Sequence, residues 1–550
     1  MHDRRRRARF SAMLALLVWT GASCADDESG ASPETLAKLD AVMTRKITGE
    51  TPGCAVGILG EGVEVMRAYG QADLERGVAN TVDSVFNVGS VAKQVTAAAV
   101  LTLAADGKLA LDDHARKYLP ELPMTAQPIT IDDLLSHTSG LRDFRATDWM
   151  LGRDALPQNN RDVLAYAARQ RDLNHAPGAS FLYTNTGYVL LALIVERVSG
   201  RGFADFTRER LFAPAGMTRT QWEDDVRDVV AGRSIGYTQV EWPQDGTPAR
   251  FQQWPTARHT TGHGGLLTTV GDMQRWNAAL SNATFGSDLA EQMNRPARLR
   301  SGVVLEYARG VFVGRHRGFR EIQHSGYTGT YTAWVGRYPE AGLSVSVLCN
   351  GDGDEVDPRE IVDLFLPTPS VPASAPASEA SAEHVPTADR RDLSAFSGVY
   401  RDPADGRLSL WDFPKDAQMR DDAYAMGSER FEFDPAQPGR VVREQYGNRS
   451  TWVRLPVWQP SAEALAEFAG RFASAELLAG YEVTFDGRQL SIGVLGLSES
   501  VVPLQPRAPD VFERTGLLIA FKRDAGGRVS GLALAPNQLH EIAFARTATR

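Results

Sequence analysis

Strand-like segments stand at both ends of the first two-thirds of this chain, with helical runs and loops between them, and this bracketing leaves few ways to build a core. Cys54 to Leu59 and Val63 to Tyr69 are short β-like runs. Glu321 to Thr328, Tyr331 to Tyr338 and Leu343 to Cys349 return to strand character, separated by turn residues. Ser32-Pro33 reads as an N-cap and first helical residue, with Leu36, Leu39 and Met43 as the apolar stripe. Helical runs then alternate with loops as far as Asn282. Strands at the two ends with helices between them predict one antiparallel sheet that pairs chain start with chain end and is flanked by helices, an α+β arrangement.

That body, residues 34–366, ends at a linker, 367–391, because Pro367 to Ala388 is mostly Pro, Ala and Ser and lacks the apolar surface to fold. Beyond it a weak repeat opens two β-rich modules, 392–458 and 463–550. Leu393-Ser-Ala-Phe-Ser-Gly-Val-Tyr400 is echoed by Leu465-Ala-Glu-Phe-Ala-Gly-Arg-Phe472. Short strand-like runs follow each copy, and Asp486-Gly487 reads as a hairpin turn, so the tail is expected to form one or two small β-barrels.

At the other end, residues 1–25 have the form of a secretory signal: Arg4 to Arg7 and Arg9, a short apolar run from Phe10 to Trp19, and small residues leading to cleavage after Ala25. The apolar run is too short for a transmembrane helix, which needs about 20 residues. The expected location is therefore secreted or periplasmic. Cys24 offers a lipid anchor as an alternative, although Gly21 stands where a lipobox has Leu. Export leaves Cys54 and Cys349 in the mature chain, each inside an apolar strand-like run. They read as buried free thiols, with a disulfide as the alternative that an oxidising compartment permits. A net charge of -9 excludes a nucleic-acid binder, and the hydropathy excludes a multi-span membrane protein. Oligomeric state is not legible.

The chemistry resides in three short motifs. Ser90-Val91-Ala92-Lys93 opens a long Ala- and Val-rich helical run to Ala105. A spacing of three places the two side chains on one helical face, a turn apart, and a helix N-terminus directs free N–H groups and the positive dipole end at developing negative charge. Acyl transfer needs a hydroxyl, an amine to take its proton, and oxyanion donors. Ser-x-x-Lys alone is a weak pattern, but of about seven lysines in the chain only Lys93 follows a serine at this distance. Its apolar surroundings would also lower its pKa toward that of a useful base.

Tyr183-Thr184-Asn185, directly before the apolar helix Tyr188 to Val198, supplies a phenol able to relay protons and an amide able to bind both lysine and a substrate carbonyl. Tyr446-Gly447-Asn448 matches the same pattern but falls in a turn of the tail and takes the structural reading. His324-Ser325-Gly326, followed by Tyr327, lies on an expected strand that can offer a backbone N–H, with Gly326 allowing close approach. His263-Gly264-Gly265 is a rival match in a Gly-rich loop before the Thr269-Val-Gly-Asp272 capping box and reads as structural support. His259 and His263 share no helix and lack a third ligand, so no metal site is assigned. No nucleotide-binding glycine fingerprint is present.

The order Ser-x-x-Lys, Tyr-x-Asn, His-x-Gly, together with Tyr69-Gly-Gln-Ala-Asp73, Leu134-Leu-Ser-His-Thr-Ser-Gly-Leu141 and Gly264-Gly-Leu-Leu-Thr-Thr269, resembles the serine β-lactamase-like hydrolases. It is most similar to the branch containing class C β-lactamases, D-aminopeptidases, DD-peptidases and esterases. The resemblance implies an all-helical subdomain beside the sheet, Ser90 as acyl-enzyme nucleophile, Lys93 and Tyr183 sharing base and acid roles, and Asn185 positioning Lys93 and substrate. It further implies an oxyanion hole from the N–H groups of Ser90 and Tyr327, and His137 as a structural loop residue. Class C β-lactamases carry Lys where His324 stands; a partly charged imidazole would hold a substrate carboxylate more weakly and in a pH-dependent way. The tail resembles the lipocalin-like C-terminal domains of D-aminopeptidases, which implies that a tail loop approaches the site. The sequence is thus read as a secreted serine hydrolase acting on a small-molecule or peptide substrate, either D-amino-acid peptides and amides or small esters, with no cofactor. A β-lactamase and a non-catalytic cell-wall or penicillin-binding sensor are the alternatives.

Overall fold

The two ends of the body pair directly. Cys54–Gly60 lies antiparallel to Leu343–Cys349, in register from Cys54 opposite Cys349 to Leu59 opposite Ser344. These two strands are central in a six-stranded antiparallel sheet of order Phe312–His316, Phe319–Tyr327, Thr332–Tyr338, Leu343–Cys349, Cys54–Gly60, Val63–Tyr69. The computed structural model describes residues 29–153, 156–241, 250–254, 258–352, 356–368, 390–419, 423–426, 429–434, 436–497, 501–535 and 542–547. The expected signal segment with Cys24, and most of the linker, lie outside the described residues.

Alternation along Leu343–Cys349 sorts the two faces of the sheet. Val345 and Val347 point into a core shared with the helices Pro33–Met43 and Pro358–Phe365, through Leu36, Leu39, Met43, Ile361 and Val362. The serines between them face the helix Val270–Ser281, where Ser344 donates to the Gln274 side chain at 2.9 Å. Thr269 caps that helix by accepting the Asp272 N–H; the Asp272 carboxylate turns instead to Arg219 and Thr220, so only half of the expected capping box forms.

Register also decides the cysteines, and the free-thiol reading is corrected. Cys54 and Cys349 are direct cross-strand partners and are joined as a disulfide closing 295 residues of chain. Taken singly, each looked like a small apolar residue in a strand. The pairing of chain start with chain end brings the two sulfurs to the same face of neighbouring strands.

On the second face of the sheet lie the helical layers. Lys93–Ala105 is preceded by one 3-10 turn, Gly89–Ala92, and is buried on nearly every side against Asn185–Ser199 and neighbouring helices. Ile131–Leu135, Phe144–Met150 and Asn160–Ala168 complete the helical part beside it.

The tail holds two β assemblies of different kinds. The first is an open six-stranded sheet around Tyr400, Trp411, Phe413, Phe431 and Trp452. The second is a closed eight-stranded barrel from Gly470–Ser474 to Ile542–Arg546, so one of the two forms a barrel. The repeat has a structural basis: Phe396 and Tyr400 in one copy, and Phe468 and Phe472 in the other, are core residues flanking the start of a first strand. Asp486 organises the expected hairpin turn by accepting the N–H groups of Arg488 and Gln489.

Candidate active site

Ser90 sits on the 3-10 turn before the buried helix, held there from both sides. Asn87 accepts the Gly89 N–H at 3.0 Å, and the Val88 N–H donates to Leu266 at 3.0 Å. Gly89 has φ of 50° and a Cβ on it would lie 2.7 Å from the Tyr327 nitrogen, so only glycine fits between the turn and the strand Phe319–Tyr327. Gly326 is equally constrained: a Cβ there would meet the Val88 carbonyl oxygen at 2.0 Å and the Ser90 nitrogen at 3.1 Å. The two backbones therefore run in contact, bringing Ser90 and Tyr327 together. The strand is also open where it matters: Phe312–His316 pairs with it only as far as Gln323, leaving 324–327 without a strand on that edge.

Lys93 is fully buried, and its Nζ has three neighbours: Ser90 Oγ at 2.9 Å, Asn185 Oδ1 at 3.0 Å and the His263 carbonyl oxygen at 2.7 Å. Burial holds its pKa well below the ordinary lysine value, opposed by the charge of Asp143 and assisted by that of Arg145. The neutral amine fits these neighbours completely. Two N–H bonds point at the two carbonyl oxygens, which can only accept, and the lone pair is left for the Ser90 hydroxyl. Asn185 is fixed in turn, since Asp143 accepts its backbone N–H at 2.5 Å.

Tyr183 shares this dry environment. Its ring lies 4.8 Å from Lys93 Nζ, and burial raises its pKa well above the ordinary phenol value, with the neighbouring Ser90 side chain acting in the opposite direction. His137 supports it, with ring centroids 4.1 Å apart, Nδ1 accepting the Thr184 N–H and the carbonyl accepting the Leu182 N–H. His137 itself is buried and neutral and has φ of 60°.

His324 departs from expectation. It is buried, and desolvation pushes its pKa to about 3. Nδ1 lies 2.6 Å from the Ser325 carbonyl oxygen and therefore carries the proton, which leaves Nε2 to accept from the Tyr307 hydroxyl at 3.3 Å. A neutral ring with both nitrogens engaged provides no partial cation for a substrate carboxylate. Ser325 and Tyr327 are exposed at the site, and Gly326 is buried beneath them.

The sequence missed two contributors. The His263-Gly264-Gly265 loop, read as support, supplies the closest acceptor to Lys93; Gly262 lets it approach, since a Cβ there would lie 2.6 Å from the Tyr188 carbonyl oxygen. The second is Tyr446, which lies in a turn as read but also reaches the site. It is the tip of the hairpin joining Arg440–Gln445 to Asn448–Arg454, and it lines a cavity of about 270 Å³ with Ser90, Tyr183, Phe312, Tyr327 and the expected substrate-binding residues His324 and Ser325. Its ring stands 5.0 Å from Phe181 and 4.9 Å from Phe312. No local signal separates Tyr446-Gly447-Asn448 from an ordinary turn, because only the fold brings the tail to this cavity. Among the described residues no cluster of three or more His, Cys, Asp or Glu is placed to hold a metal, and no helix is long and apolar enough to cross a membrane.

Known proteins share this fold and parts of this sequence. The chain is 28% identical over 307 residues to penicillin-binding protein 4* of Bacillus subtilis, covering 54% of this chain and 67% of that one. It is 25% identical over 513 residues to a D-aminopeptidase of Brucella melitensis, covering 88% and 93% of the two chains, so that likeness includes the tail. Among solved structures, the D-amino acid amidase of Ochrobactrum anthropi has a similar fold over 60% of this chain and 98% of its own, with a TM-score of 0.52 and 22% identity. The penicillin-binding protein homologue of Pyrococcus abyssi is similar over 93% of this chain and 99% of its own, with a TM-score of 0.51 and 19% identity. Residues 37–364, more than half of the chain, match the Beta-lactamase family. The chain belongs to that family and is a hydrolase of the β-lactamase type, related to D-aminopeptidases.

Proposed function

We propose that this chain is an exported serine hydrolase that forms an acyl-enzyme on Ser90 and cleaves D-amino-acid peptides or amides, or small esters. The observation that carries the reading is the set of neighbours around Lys93: two carbonyl acceptors and one hydroxyl, in a site dry enough to keep the amine neutral. Lys93 takes the Ser90 proton as Oγ attacks the acyl carbon, and the resulting oxyanion is bound by the N–H groups of Ser90 and Tyr327. Tyr183, a neutral phenol beside Ser90, passes a proton to the departing amine or alkoxide and is reprotonated from Lys93. Water then attacks the ester, giving its proton to the same pair, and Ser90 is regenerated.

The relationship to D-aminopeptidases along nearly the whole of both chains supports D-amino-acid substrates. The aromatic wall of Phe181, Phe312 and Tyr446 favours a small apolar or aromatic side chain on the acyl group. The basic head and apolar run of residues 1–25 support export, as does a disulfide, which needs an oxidising compartment to persist. A neutral His324 disfavours the carboxylate anchoring of a β-lactamase. The test is labelling with a fluorophosphonate, location of the adduct by mass spectrometry, and a screen of D-amino-acid anilides, p-nitrophenyl esters and nitrocefin with wild type and Ser90→Ala. An adduct on Ser90 and turnover of the anilides or esters is the expected result. Turnover that survives Ser90→Ala overturns the mechanism.

A further inference from the structure

Two arginines converge on the helix-facing side of the main sheet without a carboxylate to pair them. Arg337 follows Val335 by two residues on the strand Thr332–Tyr338, so its side chain enters the same layer, and it is 4% exposed. A guanidinium carries five N–H donors, yet among the described residues the Arg337 side chain bonds only Asn294 Oδ1, at 3.2 Å. Arg320, on the adjoining strand Phe319–Tyr327, donates to the carbonyl oxygen of the same Asn294 at 2.9 Å. Burial, assisted by the charge of Arg320, lowers the Arg337 pKa to about 10, which still leaves it charged at neutral pH.

The groups that could compensate this charge are engaged elsewhere. Glu321 binds Tyr338 and Arg359 on the opposite face of the sheet, Glu340 accepts the Arg320 backbone N–H at 2.7 Å, and Asp132 is held by Arg309. The end of the helix Leu289–Met293 is occupied too. Arg309 takes the Gln292 carbonyl and Arg320 that of Asn294, and five residues sum to little dipole. The same layer has a second surplus donor: Ser344, the cross-strand partner of Arg337, donates to Gln274, whose own Nε2 is buried without an acceptor among the described residues. Asn277 Oδ1, an orphan acceptor of that layer, lies a turn further along its helix, beside Ser346.

A buried guanidinium that keeps its charge without an opposite one strongly destabilises a fold. We propose that Arg337 and Arg320 bind a small monovalent anion, chloride, beside Asn294, between the sheet and the helix Leu289–Met293. Chloride accepts from several N–H groups at once and needs no donor from the protein, and the narrow exposure of Arg337 favours a single atom over a tetrahedral oxyanion. This site is separate from Ser90 and does not depend on the reaction there.

The test is thermal unfolding of the full chain at constant ionic strength, with sodium gluconate exchanged stepwise for sodium chloride, in wild type and Arg337→Met. An anion that binds only the folded state raises Tm with its concentration. Wild type should gain about 2 °C or more between chloride-free buffer and about 200 mM chloride, whereas Arg337→Met, which buries no charge there, should gain nothing. A crystal of wild type grown in sodium bromide should show an anomalous peak in contact with the Arg337 guanidinium. Equal chloride dependence in the two proteins, no dependence in wild type, or a bromide crystal without that peak overturns the proposal. If Arg337→Met does not fold, the bromide peak decides alone.

Discussion

Removing the Tyr446 ring should change which acyl groups the enzyme accepts, and by a calculable amount. The hairpin tip closes a cavity of about 270 Å³, just under the usual range of roughly 300–1,000 Å³ for small-molecule sites. Tyr446 has φ of 50°, a left-handed conformation that costs a non-glycine residue about 1–2 kcal/mol. Its two ring contacts, to Phe181 and Phe312, each return about 0.5–1.5 kcal/mol. Tyr446→Gly therefore loses and regains similar amounts, and the fold should tolerate it. Once the wall is gone, each added methylene of an acyl chain that can now be buried contributes about 0.8 kcal/mol, or about fourfold in kcat/KM. From acetate to hexanoate that is about 3 kcal/mol, or about two-hundredfold. The assay is kcat/KM for a p-nitrophenyl ester series. Wild type should peak at short chains and fall beyond them, whereas Tyr446→Gly should keep rising to hexanoate. Superimposable chain-length profiles for the two enzymes would refute the assignment of Tyr446 as the wall.

Three further outcomes follow from the same contacts. Lys93→Met should abolish Ser90 labelling; because the folded-state pKa of Lys93 lies below its unfolded value, the burden of burying an ammonium is full at low pH and fades as pH rises toward 10.5, so the stability of Lys93→Met relative to wild type should be greatest in acid and decline with pH in parallel urea melts. Gly326→Ala should lower kcat by about 10²–10³, the usual effect of losing an oxyanion donor, since its Cβ would lie 2.0 Å from the Val88 carbonyl oxygen and must push the strand away from Ser90; an unchanged kcat would remove Tyr327 from the oxyanion hole. Replacing Cys54 and Cys349 by alanine should cost about 5 kcal/mol in denaturant unfolding, because the bridge closes 295 residues, while Ser90 labelling of the folded variant stays at the wild-type rate.

The parts legible in the sequence are those whose physics is local or whose partners are marked by side-chain type. Ser90 and Lys93 are one helical turn apart, so their spacing alone predicts their contact, and Tyr183-Thr184-Asn185 carries two groups of the site within three residues. Five of the six strands of the main sheet were visible because each alternates or runs apolar within turn boundaries, and their bracketing position determined which ends must meet, whereas the edge strand Phe312–His316 was not read. The backbone acceptor of Lys93 was not legible. The His263 carbonyl is chemically the same as every other carbonyl in the chain, and only the glycines around it hint that something passes close by.

Charge states and long-range partners escaped for a related reason: both depend on what the fold places around a residue. His324 has the composition of a pH-sensitive contact, yet burial and two ring partners make it a neutral strut. The dryness that neutralises His324 acts on Lys93 and Tyr183 too, lowering the one and raising the other, so the resting site holds an uncharged amine, an uncharged phenol and an uncharged imidazole. With these three groups uncharged, no ion pair has to be broken beside Ser90 before the reaction begins, and the oxyanion is then met by backbone N–H groups already in place. That explains why so much of the surrounding sequence is glycine and buried aromatic residues: close backbone approach and exclusion of water are the two conditions under which a lysine and a serine three residues apart become a base and a nucleophile.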